Sequence, residues 1–250
     1  MVARNKIQVE RLKTAGRATA RLLSELAQLA QPGVMTRALD DYAADFIRRL
    51  GAEPVFHTQN GFPGCINTSL NDEAVHGVPG DRLLQQGDLL SIDCGMRLNG
   101  YCGDATITLG VGAPEELSET RRRLRDVALE ALRRGIDAAR PGNHVGDIGY
   151  AMQSYVESEG FHLLAQYTGH GLGSRLWENP QIPAVGRPGT GPRLVDGLVI
   201  TIEPIVVAGK PNVYVADDGW TVLTADAQPA AQFEHTIILT PRGAQVLTAA

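Results

Sequence analysis

Cysteine is scarce, a basic surplus is missing, and no long apolar run occurs. The three cysteines, Cys65, Cys94 and Cys102, are odd in number and form no CxxC pair, which argues against a disulfide framework or a zinc ribbon and fits a reducing compartment. Lys and Arg total 23 against 28 Asp and Glu, a net charge of −5, so no global basic field draws nucleic acid or an anionic membrane. No stretch approaches the roughly 20 apolar residues of a membrane span. The first residues, MVARNKIQVERLKTAGRATARLL, carry charges throughout and lack the apolar core of a signal peptide. These absences predict a cytoplasmic protein with small or neutral partners, neither membrane nor specific nucleic acid among them; a monomer is expected.

What the chain does have is a change of period. With 250 residues, 43% of them hydrophobic, a sizeable core can form. Leu12, Ala15, Ala18, Leu22, Leu26 and Leu29 recur at helical spacing between Ile7 and about Ala30, and QPG at 31 to 33 stops the run. A second helix is expected from Thr36 to Gly51. VFHTQNGFPGCINTSL and QQGDLLSIDCGMRLNGYCGDATITLGVG then bring β-branched residues and turn dipeptides, which predict strands and hairpins. After Pro114 a long helix is expected in PEELSETRRRLRDVALEALRRGIDAARPG, opened by proline and acids and closed by PG, and another from about Val145 to Gly160. Strands are expected to return near Leu194. Helix, helix, strands occurs twice, which predicts two similar αβ halves, about 1–111 and 112–250, with a site between them. VHGVPG at 75 to 80 echoes GHGLGS at 169 to 174, and LLSID at 89 to 93 echoes VITIE at 199 to 203.

Asn99-Gly100 inside LLSIDCGMRLNGYCGDATITL is a strong type I′ hairpin signal, because both central positions need a positive φ. A two-residue loop sets Leu98 opposite Tyr101, Gly95 opposite Asp104 and Asp93 opposite Thr106. Asp93 and Asp104 then share a face as diagonal neighbours, roughly 7 to 8 Å apart at the backbone. Acids on a hairpin commonly face solvent. Here Leu90, Ile92, Ile107 and Leu109 flank them as a buried set would, and two carboxylates so close need a cation or a shared proton. The metal reading is preferred. The same register puts Cys94 and Cys102 on opposite faces, so they do not bond to each other.

Glu203 in LVITIEPIVVAG and Glu234 in AQFEHTIILT lie in apolar strand segments, where an unpaired carboxylate is very costly to bury. Structural pairing, for Glu234 with a nearby arginine, and ligation of a metal explain each acid equally well. The set weighs more than its members: four acids in apolar strands, with His76 and His170 in glycine turns where a backbone approaches closely. Four carboxylates and an imidazole form a hard, oxygen-rich site for two divalent ions, Mn, Fe(II), Co or Zn, without thiolate chemistry. Two such ions can share and acidify a water and hold a developing oxyanion, so a dinuclear hydrolase is expected.

VHGVP at 75 to 79, SIDCG and YCGDAT at 91 to 106, GHGLG at 169 to 173, TIEPIV at 201 to 206, and GWTVLT with AQFEHTIILT at 219 to 240 resemble the type I methionine aminopeptidases over nearly the whole chain. The short N-terminus resembles the bacterial form, without an added zinc-binding or linker segment. The resemblance implies a pita-bread α/β (α+β) fold, two pseudo-symmetric halves clasping a dimetal site in a single metallopeptidase domain over residues 1–250. It implies two divalent ions (Co, Mn, Fe(II) or Zn), with Asp104 and Glu234 bridging both, Asp93 on one, and His170 with Glu203 on the other. It further implies that a bridging water attacks the carbonyl after the first residue of a peptide and that Glu203 passes its proton toward the leaving amine. His76 would bond the scissile amide or the tetrahedral intermediate. The substrate so implied is the N-terminal peptide of nascent proteins, which loses its initiator methionine.

For the substrate pocket the resemblance implies Phe62, Asn67, Trp177 and Trp220. Phe62 and Trp220 match the family. Gln59 stands where tyrosine is common, Asn67 where many members carry cysteine and Leu176 where phenylalanine is usual, which predicts a more polar or roomier pocket. Trp177 is the largest departure. It replaces a family histidine that reaches the substrate carbonyl, and an indole donates one hydrogen bond but neither titrates nor accepts. Loss of one oxyanion donor costs on the order of 10² to 10³ in rate, so slowed turnover or a shifted substrate preference is expected, unless the ring turns aside onto the pocket rim.

RRRLR at 121 to 125 could make transient contact with ribosomal RNA, but Glu115, Glu116, Glu119 and Asp126 on the same segment favour a solvated face with local ion pairs. Two other functions share the implied fold. Cleavage at Xaa-Pro is usually the work of chains with a large extra N-terminal domain, for which this one has no room. Binding without catalysis is opposed by the complete ligand set and His76, while Trp177 favours it.

Overall fold

Asn5 opens the first helix, α1 (Lys6–Leu29): its side-chain oxygen accepts a hydrogen bond from the Gln8 amide at 3.0 Å, satisfying one of the donors that a helix start leaves over. Leu12, Ala15, Thr19, Leu22, Leu23 and Leu26 fall on its buried stripe. α2 (Thr36–Arg49) buries Leu39, Ala43, Phe46 and Ile47, and Arg48 and Arg49 lie in its last turn, where the helix dipole favours cations. The structure, a computed structural model, describes residues 1–249.

Between Pro54 and Gly61 the chain departs from the expected strand. Val55–Asn60 is a short helix, α3. Val55 and Phe56 are buried, Thr58 donates its hydroxyl to the Pro54 carbonyl at 2.9 Å, and Gly61 ends the turn at φ 75°. Tertiary burial of two apolar side chains and a glycine stop outweigh the β-propensity of valine and threonine. Pro114 starts only a 3₁₀ turn, Pro114–Glu116. The long helix, α4 (Glu119–Ala138), begins after Ser118, whose hydroxyl accepts from the Arg121 amide at 3.3 Å, as a helix cap does. α5 (Val145–Ser158) follows. Strands return earlier than expected, at His162–Leu163, Thr168–Gly171 and Glu178–Pro183, short segments whose glycines and prolines hide them from a propensity reading.

The hairpin Leu89–Leu98 and Tyr101–Gly110 belongs to a nine-stranded sheet. Its register is the expected one: Leu98 faces Tyr101, Gly95 faces Asp104 and Asp93 faces Thr106, with Asn99 and Gly100 turning at φ 53° and 83°. Beside Tyr101–Gly110 run Glu234–Thr240, Val199–Ile202, Thr168–Gly171 and Glu178–Pro183 in that order, each antiparallel to the one before.

Two cores grip this sheet. One joins α1 and α2 to the hairpin through residues such as Leu26, Phe46, Ile92 and Met96. The other joins α4 and α5 to later strands through Leu132, Ile148, Met152, Ile200 and Ile237. Each fully buried Leu or Ile contributes about 1.5–3 kcal/mol. Cys94 and Cys102 are free and buried in separate clusters, as the register requires. On α4, Arg123 pairs with Glu159 at 3.7 Å, Arg125 with Asp126 at 2.8 Å, and Arg121 donates to the Gly87 carbonyl. Among the described residues no helix is long and apolar enough to cross a membrane.

Candidate active site

Three of the five expected ligands come together tightly. One ligand atom each from Asp104, His170 and Glu234 lies within 4.8 Å of the others. Asp104 enters from the hairpin, and its backbone is locked there because Thr236 donates its hydroxyl to the Asp104 carbonyl at 2.7 Å and accepts from the Asp104 amide at 3.1 Å. Glu234 begins the strand Glu234–Thr240 opposite Thr106, whose hydroxyl donates to its carboxylate at 3.2 Å. Among the described residues no arginine pairs with it. Asp93 and Glu203 line the same cavity, of about 340 Å³, without joining the tight cluster. Glu203 lies just beyond the strand Val199–Ile202 rather than within one: Pro204 has no amide for the ladder, and Gln232 donates its side-chain amide to the Glu203 carboxylate.

His170 stands in the strand Thr168–Gly171, not in a turn. Its flanking glycines serve close approach: a Cβ on Gly169 would lie 2.4 Å from the Thr201 carbonyl oxygen, and one on Gly171 would lie 2.3 Å from that of Asn179. Nδ1 lies 3.0 Å from the Gly171 carbonyl oxygen, which can only accept, so Nδ1 carries the proton. Nε2 faces Asp104, 3.5 Å from its carboxylate, where its lone pair can serve a metal.

His76 is held in the left-handed region at φ 59°. The next residue fixes it: the Gly77 amide donates to Ser69 Oγ at 3.0 Å, its carbonyl accepts from the Thr68 amide at 2.8 Å, and a Cβ there would lie 2.3 Å from the Thr68 carbonyl oxygen. The His76 ring meets Tyr167 edge-on at 5.9 Å. Phe62 and Trp220 form a second edge-on pair at 5.4 Å, and both line the cavity with Asn67, His76 and Trp177. Gln59 and Leu176 do not face it. Leu176 is buried behind the cavity wall, in the apolar cluster that holds Phe56 and Phe62 and packs against Trp220, and its amide donates to the Gln59 side-chain oxygen at 3.0 Å. Gln232, Thr201, Thr236 and Tyr167, which bond or pack against Glu203, His170, Asp104 and His76, carry no signal in the sequence. Of the groups that hold the acids, only Thr106 was signalled, by its place opposite Asp93.

Burial pushes the Asp93 carboxyl well above the usual carboxylate range, and the charges of Asp104 and Glu203 push it further. Glu234 rises for the same reasons, burial first and then Asp104 and Glu203. Burial also lifts Glu203, to about 7, with His170 pulling it back and Asp104 adding to the rise. For His170 burial works against the charged form, but Asp104 outweighs it and the net shift is upward. Burial lowers His76. Asp93 Oδ1, Asp104 Oδ1 and Glu234 Oε1 are buried without a hydrogen-bond partner among the described residues. Orphaned carboxylate oxygens crowded against an imidazole nitrogen are costly unless a cation satisfies them, and hard oxygen donors with one imidazole suit a divalent transition metal. The residues present fit such an ion.

A mixed α/β fold with these donors at the centre of a curled antiparallel sheet defines a metallohydrolase. The chain belongs to metallopeptidase family M24, whose model matches residues 10–241. It is 45% identical over 237 residues to methionine aminopeptidase 1 of Bacillus subtilis (strain 168), covering 95% of this chain and 94% of that one. The crystal structure of methionine aminopeptidase from Rickettsia prowazekii superposes with a TM-score of 0.95 at 37% identity, over 99% of this chain and all of that one, so the fold is the pita-bread arrangement. Prolidase from Pyrococcus furiosus reaches a TM-score of 0.77 at 24% identity, with this whole chain covering 66% of it. That likeness shows the fold alone.

Proposed function

We propose that this protein hydrolyses the first peptide bond of chains that begin with methionine, removing the initiator residue from nascent proteins. The observation that carries the reading is the meeting of Asp104, His170 and Glu234 within 4.8 Å, with unpartnered carboxylate oxygens, in a chain similar over its length to methionine aminopeptidases. Asp93, Asp104, His170, Glu203 and Glu234 hold two divalent ions, chosen from Mn, Co, Fe(II) and Zn by cellular supply. When bound, such ions polarise a carbonyl and lower the pKa of a water.

The remaining work belongs to side chains. Glu203, held by the side-chain amide of Gln232, takes the proton that the attacking water gives up and passes it to the leaving amine. His76, kept neutral by burial, donates from its imidazole to the scissile amide. Phe62 and Trp220 pack on the thioether, a contact that is favourable and geometrically forgiving, with Asn67 beside them. Asp93, with its acidic neighbours, attracts the peptide's terminal ammonium.

Residues 1–250 act as one catalytic domain, and the halves 1–111 and 112–250 meet at the site. His76, Asp93 and Asp104 come from the first, His170, Glu203 and Glu234 from the second, and the two main cores divide near the same boundary. Because one chain supplies every one of these groups, a monomer suffices. Three free thiols suit the cytoplasm.

The test is an assay of purified protein loaded with Mn, Co or Fe(II) on Met-Ala-Ser, Ala-Pro and Xaa-Pro substrates. Methionine release from Met-Ala-Ser alone is expected. Cleavage at proline, or no cleavage despite bound metal, would overturn the reading.

A further inference from the structure

We infer that Trp177 determines specificity for the peptide residue that follows the scissile bond, and that Gln59 is the positioning residue that holds it there. This rests on the aminopeptidase reading. Both tryptophans of the chain line the same cavity, but they differ in company. Trp220 packs edge-on against Phe62 at 5.4 Å, as a wall for the first side chain. Trp177 lies against His170, ring centroids 6.2 Å apart and planes at 60°, and is 43% exposed. A peptide whose first side chain rests on Phe62 and Trp220, and whose reacting carbonyl lies over the His170 cluster, brings its second residue past His170 to this indole. An exposed aromatic face at a cavity mouth is stabilised when an apolar side chain covers it.

The ring cannot drift freely away. Leu176, just before it, is fully buried, and its amide donates to the Gln59 side-chain oxygen at 3.0 Å. Upstream, the Gly173 carbonyl accepts from the Cys102 amide at 2.7 Å; downstream, Glu178 accepts from the Arg175 amide at 3.3 Å. Of these ties, the one on the residue just before Trp177 runs through the side chain of Gln59, which joins α3 to the indole-bearing segment. Toward the Leu176 amide Gln59 is the acceptor, so a glutamate keeps that bond and an alanine loses it, while the bond that Gln59 also makes to Cys102 is lost in both.

Covering about 50 Å² of indole by a branched aliphatic side chain corresponds to about a five- to tenfold preference. The measurement is the kcat/KM ratio of Met-Val-Ser to Met-Ala-Ser in the metal-loaded wild type and in W177A, W177F, W177H, Q59A and Q59E. Alongside it, tryptophan emission follows binding of the two analogues in which a methylene-amine replaces the scissile amide. The ratio should fall about five- to tenfold in W177A and W177H and stay within about twofold in W177F. It should fall about threefold in Q59A and recover in Q59E. The valine analogue should show the same ratios in Kd, with a blue shift of emission that W177A abolishes. Unchanged ratios in W177A and W177H, in both hydrolysis and binding, would overturn the role of Trp177. Equal losses on both peptides in Q59A without recovery in Q59E would overturn that of Gln59. If the wild type cleaves no methionyl peptide with any metal, the aminopeptidase reading falls, and the analogue Kd ratios still decide the specificity claim.

Discussion

At φ 59°, His76 occupies backbone space that costs a residue other than glycine about 1–3 kcal/mol. The cost is met by the Gly77 bonds to Thr68 and Ser69, and its return is an imidazole aimed into the cavity. His76 was legible as a motif residue, but its strain was not, because a motif names neighbours in sequence and not the dihedral that a distant strand imposes. Gln59 and Leu176 show the converse. Their sequence positions promised residues at the cavity surface, yet Leu176 packs behind its wall with Phe56 and Phe62, its amide bonded to the Gln59 side chain. Trp177, by contrast, lines the cavity. Replacing it with histidine restores a second titratable donor, so Trp177→His should raise kcat on Met-Ala-Ser about tenfold or more, read by steady-state kinetics; an unchanged or lower kcat would refute the cost assigned to the indole. For the ligands, Asp104→Asn should abolish binding of the metal pair, as measured by elemental analysis after dialysis, while far-ultraviolet circular dichroism stays native.

Among the elements, the hairpin was legible to the residue because Asn99-Gly100 permits one tight turn and the pleat then dictates every partner down to Asp93 and Asp104. The strand Thr168–Gly171 was not, since two of its four residues are glycines, which propensity counts against a strand. Their reason is steric. Thr201 and Asn179 carbonyls press on both sides of His170. Gly171→Ala must push the neighbouring strand away, at about 1–3 kcal/mol of overpacking, and carry the imidazole off the carboxylates. Urea unfolding should show the lost stability, and a metal titration should show weaker binding in the same variant. A stable variant with normal affinity would refute the steric role of Gly171.

For the whole molecule, four buried or half-buried acids make the metal-free protein a poor host for its own charge. Asp93, Glu203 and Glu234 all have carboxyls raised above their unfolded values, and His170 is raised as well. Groups of either kind bind protons more tightly in the folded state. Stability of the metal-free protein therefore increases as pH falls, for Glu203 through the window from about 7 toward the ordinary carboxylate value. Its Tm should be about 5 °C higher at pH 6 than at pH 8. Divalent metal competes with those protons, so loaded protein should show the opposite slope; parallel slopes would contradict a metal at these acids. The strands that bring the site together make the point more local. Tyr101–Gly110 and Glu234–Thr240 share just two register pairs, Glu234 with Thr106 and His235 with Ala105, supplemented by Thr236 gripping Asp104. So short a ladder is a stitch rather than a weld, and each bound ion would act as a rivet through it. Chelation should raise amide hydrogen exchange at Ala105, Thr106 and His235 first, while the α4 and α5 core stays protected. In that sense this molecule's cofactor and its fastener are the same object.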